Sequence, residues 1–309
     1  MAEVNHPYIE QVRLLVRLLP TVAKQSCFAL KGGTAINLFY RDMPRLSVDI
    51  DLAYLPVEDR EASLAGIDTA LGAIAADIGH MIPRARITAS QLKGTSKRFK
   101  LIVSHDHASV KIEVTPVLRG CVYGAERLEL TEKATAAFGF ARVTVLSFED
   151  LYAGKICAAL DRQHPRDLYD VYGLLENEGI DARLKNAFLV YLLGHNRPMA
   201  ELLAPKTHDL KPLFRDELEG MTYESVKLEQ LKETLPRLVR EIHHTLTDKD
   251  RAFLVAIKRG SHDWHDFALP KAVKLPAIQW KLFNLARMDP AKRLQAADKL
   301  ERILTQQLR

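Results

Sequence analysis

Asp49 and Asp51, in the stretch Arg45-Leu-Ser-Val-Asp-Ile-Asp-Leu-Ala53, place the tightest constraint on how this chain can fold. Leu46, Val48, Ile50 and Leu52 alternate with them, the period-two pattern of a strand with one apolar face. Side chains two apart on a strand point the same way, so both carboxylates leave the other face together. Two like charges side by side repel unless a cation sits with them. Hard carboxylate oxygens on a rigid strand suit Mg²⁺, which is commonly bound through one or two carboxylates plus substrate phosphates. The ordinary alternative is a solvated acidic strand face.

A chain of 309 residues suggests about two domains. With 47% hydrophobic and 27% charged residues it has the apolar mass for a core. No apolar run approaches the ~20 residues of a membrane span, and the N-terminus lacks a basic-then-apolar signal pattern. Cys27, Cys121 and Cys157 are widely spaced without metal-ligand spacing, as expected of reduced thiols in a cytoplasmic protein. The net charge of +5 is concentrated at one end. From Lys249 to Arg309 there are thirteen Lys or Arg against six Asp or Glu. Such asymmetry fits a phosphate-rich partner or a solvated helix surface equally well.

Tyr8 to Lys24 has helical spacing, with Pro20 expected to kink or stop it. Cys27 to Leu30 reads as a strand ending in a tight Gly32-Gly33 turn, with Thr34 capping the next helix. After the acidic strand, Glu58 to Ile78 is helical. Arg86 to Leu92, Arg98 to Ser104 and Ala108 to Val117 read as three strands, with turns at Gly94 and Asp106. Arg142 to Leu146 adds a further strand, and Ser147-Phe-Glu-Asp150 reads as a helix start. Helices are expected over 149–161, 167–178, 183–193, 224–245, 248–258 and 290–308, with a loop from Gly260 to Pro276. The pattern is α+β: a mixed N-terminal half and an all-helical C-terminal half.

Three groups of residues bear on chemistry. The Gly32-Gly33 turn before a helix presents backbone N–H groups suited to phosphate, with the Thr34 hydroxyl and Lys31 beside it, although Gly-Gly alone often only permits a sharp turn. In Val110-Lys-Ile-Glu-Val-Thr115, Glu113 shares a strand face with Lys111 and Thr115. If that strand lies beside the acidic one, Glu113 completes a metal-binding triad or acts as a general base; otherwise it is a surface Glu paired with a Lys. Lys155 and Arg162 share one face of a helix that Pro165 breaks, and Arg166-Asp167-Leu-Tyr-Asp170 opens the next. This is either a helix hairpin pinned by an Arg–Asp pair and capped by Asp167, or a nucleotide clamp with Lys155 on a triphosphate. In the clamp, Asp167 or Asp170 orients Lys155. Trp264 and Trp280 in the basic end can stack bases, or simply pack in a core.

Gly32-Gly33-Thr34, then Arg45-x-Ser47-x-Asp49-x-Asp51-Leu, then Lys155 followed by Arg166-Asp167-Leu-Tyr-Asp170, resembles the AbiEii/AbiGii toxin family of the DNA polymerase β-like nucleotidyltransferase superfamily. These motifs span residues 31 to 170. The resemblance implies a nucleotidyltransferase fold over residues 1–147 and a helical domain over 148–309 that contributes Lys155 and Asp167. It implies a toxin of a toxin–antitoxin or phage-defence system that transfers a nucleotide from an NTP with Mg²⁺. The acceptor in some relatives is the tRNA acceptor end, which blocks translation. By the same resemblance Gly32, Gly33 and Thr34, with Arg45, Ser47 and Arg166, bind the donor, Asp49 and Asp51 hold the metal with Glu113, and Lys155, Asp167 and Asp170 complete the site. An antitoxin encoded nearby is a further implication. Two other functions stay open: transfer to a small-molecule or protein hydroxyl, and a non-catalytic module that binds nucleotide or a partner. A non-catalytic module would be expected to lack one of the acids or the lysine, and all are present.

Overall fold

The computed structural model describes residues 6–224 and 226–306. The chain divides into two compact units, Met1–Leu151 with Leu218–Ser225, and Tyr152–Glu217 with Val226–Arg309.

The first unit opens with helix α1 (His6–Ala23), which runs through Pro20 instead of stopping there. Pro20 itself is exposed, while Val12, Leu15, Leu18 and Leu19 anchor the helix in the core. Strand β1 (Phe28–Lys31) passes directly into the short helix α2 (Gly32–Ala35), continued by a π-helical turn at Ile36–Tyr40. Thr34 therefore lies inside the helix and is not its cap. Gly32, at φ +74°, reverses the chain in a single residue. Strand β2 (Asp49–Tyr54) carries the acidic pair.

Helix α3 (Arg60–Met81) starts at Asp59, whose carboxylate accepts from Ala62 N at 2.9 Å. Contrary to expectation, α3 is long and apolar enough by composition to cross a membrane. Its Leu64, Ile67, Leu71, Ile74 and Ile78 are buried, and it packs on the sheet and on α1. Strands β3 (Arg86–Gln91), β4 (Arg98–His105) and β5 (Ala108–Arg119) follow as expected, with positive φ at Gly94 and Asp106 in the turns. Strand β6 (Ala125–Glu129) and helix α4 (Glu132–Phe138) were not expected, and β7 (Arg142–Leu146) was. The strand β6 reads Ala-Glu-Arg-Leu-Glu at a sheet edge, mostly exposed, so no apolar alternation marks it.

Among the described residues these strands form one mixed sheet in the order β3-β4-β5-β2-β1-β7-β6. β2 pairs antiparallel with β1 and parallel with β5. Residues 218–225 return to this unit: Leu46 N donates to Met221 O at 2.7 Å, Tyr223 N to Pro44 O at 3.0 Å, and Arg45 bridges to Thr222.

Helix α5 (Phe148–Arg162) begins as the sequence predicts: Ser147 Oγ accepts from Asp150 N at 3.2 Å and donates to the Asp150 carboxylate at 2.9 Å. The second unit continues through α6 (Pro165–Asn177), α7 (Ala182–Gly194), α8 (Met199–Leu203), α9 (Lys211–Glu217), α10 (Leu228–Thr245), α11 (Asp248–Arg259), α12 (Pro276–Ala286) and α13 (Pro290–Gln306). Residues 307 and 308 of the last expected helix lie outside the described residues. Helices α8, α9 and α12 had no expectation, and the loop from Gly260 contains two 3₁₀ turns. Trp264 packs edge-on against Phe253 and Phe267, at centroid distances of 5.3 and 5.7 Å. Trp280 is 55% exposed and is not a core residue.

Gly66 brings the backbone of α3 close to Tyr54 of β2. A Cβ there would stand 2.2 Å from the hydroxyl of Tyr54, whose ring is buried and whose oxygen donates to Glu58 at 2.8 Å. Gly66→Ala is predicted to destabilise the first unit by about 1–3 kcal/mol through overpacking, measured as a lower midpoint in urea denaturation.

Candidate active site

The acidic face is built by strand register. Ile50 and Leu52 on β2, and Ile112 and Val114 on β5, are fully buried on one side of the sheet. Asp49, Asp51, Lys111 and Glu113 therefore share the other side. The parallel pairing sets Asp49 opposite Lys111 and Asp51 opposite Glu113, while β1 sets Lys31 opposite Asp51. The Lys111 ammonium lies 3.1 Å from Glu113 Oε2 and 3.9 Å from Asp49 Oδ2. Burial alone would push the Lys111 pKa down, but Asp49, Glu113 and Asp51 together hold it above its ordinary value. Lys31 donates to Thr115 Oγ1 at 2.9 Å.

The strand of Glu113 does lie beside the acidic one, and the glutamate pairs with Lys111. Among the described residues no three or more His, Cys, Asp or Glu side chains form a group that holds a metal ion. The carboxylates of Asp49, Asp51 and Glu113 stand on register-matched positions, but Lys111 engages two of them. The donor set is nonetheless all oxygen, and its negative field already draws in a cation. That chemistry fits a hard divalent ion.

The Gly32-Gly33 stretch is packed against this face. A Cβ on Gly32 would lie 2.7 Å from Asp51 Oδ2, and one on Gly33 would lie 2.7 Å from the Arg45 guanidinium and 3.0 Å from Ser47 Oγ. Glycine is thus required at both places by close approach, and at Gly32 also by its positive φ. Thr34 is buried, and its hydroxyl contacts Ser47 Oγ at 3.0 Å and donates to the carbonyl of Asp49. Arg45 is 2% exposed and donates to Leu46 O at 2.8 Å. Arg45, Ser47 and Thr34 therefore brace the turn and the start of β2 from within.

The second group lies within the helical unit. Lys155 on α5 reaches Asp167 Oδ1 at 2.7 Å and Asp170 Oδ2 at 3.0 Å, both on α6. Arg162 grips Asp167 through Nε at 2.6 Å and Nη2 at 3.2 Å. Lys155, Asp167 and Asp170 are all buried. Burial would raise the Asp167 pKa, yet the charges and hydrogen bonds of Lys155 and Arg162 hold it well below the usual carboxylate range. Both aspartates orient Lys155, so the alternative between them resolves into a shared role. The cap of α6 is His164, whose Nδ1 accepts from Arg166 N at 3.1 Å; Asp167 does not cap it. With Nδ1 accepting, Nε2 donates to Glu217 at 2.9 Å, and Arg166 pairs with the same Glu217 at 3.2 Å. Sequence spacing gave no sign of Glu217, which is fifty-one residues beyond Arg166.

The model of the family described as nucleotidyl transferase AbiEii toxin, type IV TA system, matches residues 13–284. The chain belongs to this family. It is a nucleotidyltransferase toxin of the type IV toxin–antitoxin class. Among solved structures it is similar to MenT4, a nucleotidyltransferase toxin from Mycobacterium tuberculosis H37Rv. The two share 16% identity over 90% of this chain and 93% of that one, with a TM-score of 0.59, which shows a common fold. No curated protein matches the chain. The AbiEii match extends well past residue 170, where the quoted motifs end, and so takes in most of the helical unit.

A carboxylate whose folded pKa lies below its unfolded value of about 3.9 adds stability that is full above that value and is lost as pH falls through the folded one. Asp167 is such a group. The stability of the wild-type chain is predicted to fall more steeply below pH ~4 than that of Asp167→Asn, whose amide does not titrate. Urea melts from pH 7 to pH 3 measure the two slopes.

Proposed function

We propose that this AbiEii toxin transfers an NMP group from an NTP to RNA, with Mg²⁺ as the metal and the tRNA acceptor end as the target, and so blocks translation in the cytoplasm. The observation that carries the reading is the acidic face: Asp49 and Asp51 on β2, Asp51 in register with Glu113 on β5, beside a glycine pair whose Gly33 is backed by Arg45.

In this reading Asp49, Asp51 and Glu113 hold the metal, which when bound neutralises the donor phosphates and favours attack at the α-phosphorus. The backbone N–H groups near Gly33 receive the donor phosphates. Lys155, fixed by Asp167 and Asp170, supplies a cation to the triphosphate. The acceptor hydroxyl loses its proton as its oxygen bonds to phosphorus and pyrophosphate leaves; in the alternative to metal ligation, Glu113 is the base that takes that proton. Little covalent chemistry is asked of the protein, whose contribution is position and charge.

RNA is favoured over a small acceptor by the C-terminal surface. Trp280 and Phe283 are exposed and stack on each other at 5.7 Å, and the Arg287 guanidinium lies over Phe283 at 5.1 Å. From Phe267 to Met288 the chain holds Lys271, Lys274, Lys281 and Arg287 and no carboxylate. Flat aromatic faces with cations beside them suit bases and phosphates. As a type IV toxin the chain is further expected to have a cognate antitoxin.

Asp51→Asn and Lys155→Ala are each predicted to abolish growth inhibition and to lower transfer at least ~100-fold, the scale of losing a preorganised charge. Folding of each variant is verified by circular dichroism. Full toxicity in either folded variant would refute the catalytic reading. For the acceptor, the purified chain is incubated with Mg²⁺, each labelled NTP, and total RNA, protein or small molecules. Label in tRNA is expected; label confined to protein or small molecules would replace RNA with the other acceptor.

A further inference from the structure

Lys111 takes no part in the reaction just described, yet it stands in the middle of the acidic face. It is the register partner of Asp49, and Glu113 is its neighbour two residues along β5. Its ammonium is 3.1 Å from Glu113 Oε2 and 3.9 Å from Asp49 Oδ2, so it touches two of the three carboxylates assigned to the metal. The other cations set opposite this group engage other partners as well: Lys31 donates to Thr115 Oγ1, and Lys100, the β4 partner of Glu113, lies 5.6 Å from the centre of the Phe99 ring.

We infer that Lys111 is a tethered counter-ion, which holds Asp49 and Glu113 in the metal-free protein and must be displaced when a divalent cation binds there. The inference rests on the metal reading given above. A lysine is suited to this task because its charge is compact and its four-carbon stem lets it swing aside. Without a cation the face would carry three carboxylates on adjacent strand positions, a repulsive arrangement. With Lys111 in place the repulsion is relieved, and the divalent ion gains only the difference between its own attraction and that of the ammonium. The lysine therefore keeps the face folded in the absence of metal and lowers its metal affinity. An ordinary cross-strand ion pair would stabilise the sheet with no effect on metal binding.

The test is calorimetric titration of the full-length, nucleotide-free chain with Mn²⁺, comparing wild type, Lys111→Gln, Lys111→Arg and Asp51→Asn. Lys111→Gln is expected to bind Mn²⁺ about tenfold more tightly than wild type, and Lys111→Arg to stay within about threefold. By linkage, Lys111→Gln also melts at a lower temperature without metal and gains more from added Mn²⁺. Equal or weaker binding by a folded Lys111→Gln, alongside binding by wild type that Asp51→Asn loses, overturns the counter-ion role and leaves the metal reading standing. Absence of saturable binding in both wild type and Lys111→Gln overturns the metal reading and this inference together. A measurement on wild type alone covers the case of a variant that does not fold. An amine-directed reagent followed by mass spectrometry should modify Lys111 at least about twofold faster with Mn²⁺ than without, as the ammonium is released. An unchanged or slower rate overturns the proposal.

Discussion

Three carboxylates on two adjacent strands cannot be left together without compensation, and the first unit is arranged around that demand. The parallel pairing of β2 with β5 creates the problem by putting Asp51 beside Glu113. The same register supplies a local answer by putting Lys111 beside Asp49. Gly32 leaves the carboxylate of Asp51 the space it occupies, since a methyl group there would strike it.

The helical unit meets a similar demand differently. Its Lys155, Asp167 and Asp170 form a buried, closely hydrogen-bonded network, which the exposed Arg162 joins from the solvent side. A buried pair of this kind contributes less to stability than its short distances suggest, because both charges leave water. What the network does secure is the orientation of one lysine. Two aspartates on successive positions of one face of α6, three residues apart, fix its ammonium from two directions.

Most of the sheet and the larger helices were legible in the sequence, because alternation at β2, β4 and β5 and helical spacing in α6, α7, α10 and α11 are direct consequences of one-sided burial. The strand β6 was not, since an edge strand of charged residues has no buried face to write a pattern. Pro20 does not stop α1, because the buried apolar face of the helix continues on both sides of it. Asp49, Asp51 and the Lys155 group could be found from spacing and family resemblance, as local features of the chain. Lys111 was visible only as a neighbour of Glu113, and its contact with Asp49 follows from a strand register that no local pattern determines. The same limit hid Glu217 and the brace on Arg45. Trp264 and Trp280 look alike in composition, yet one is packed among phenylalanines and the other is exposed; burial of a single aromatic is a tertiary fact.

The short return of the chain at residues 221–223 has a consequence for how this toxin comes into being. Those backbone groups hold Pro44 and Leu46, next to the buried arginine that backs the glycine pair. On the ribosome, the sheet strands and the acids of β2 and β5 emerge long before that support does, and the whole of α5 through α9 must be made in between. A nascent or prematurely ended chain of about two hundred residues would thus hold every one of the assigned acids and lysines and still lack the clasp that shapes the turn. The turn beside the acids is thus completed only after most of the helical unit has been made.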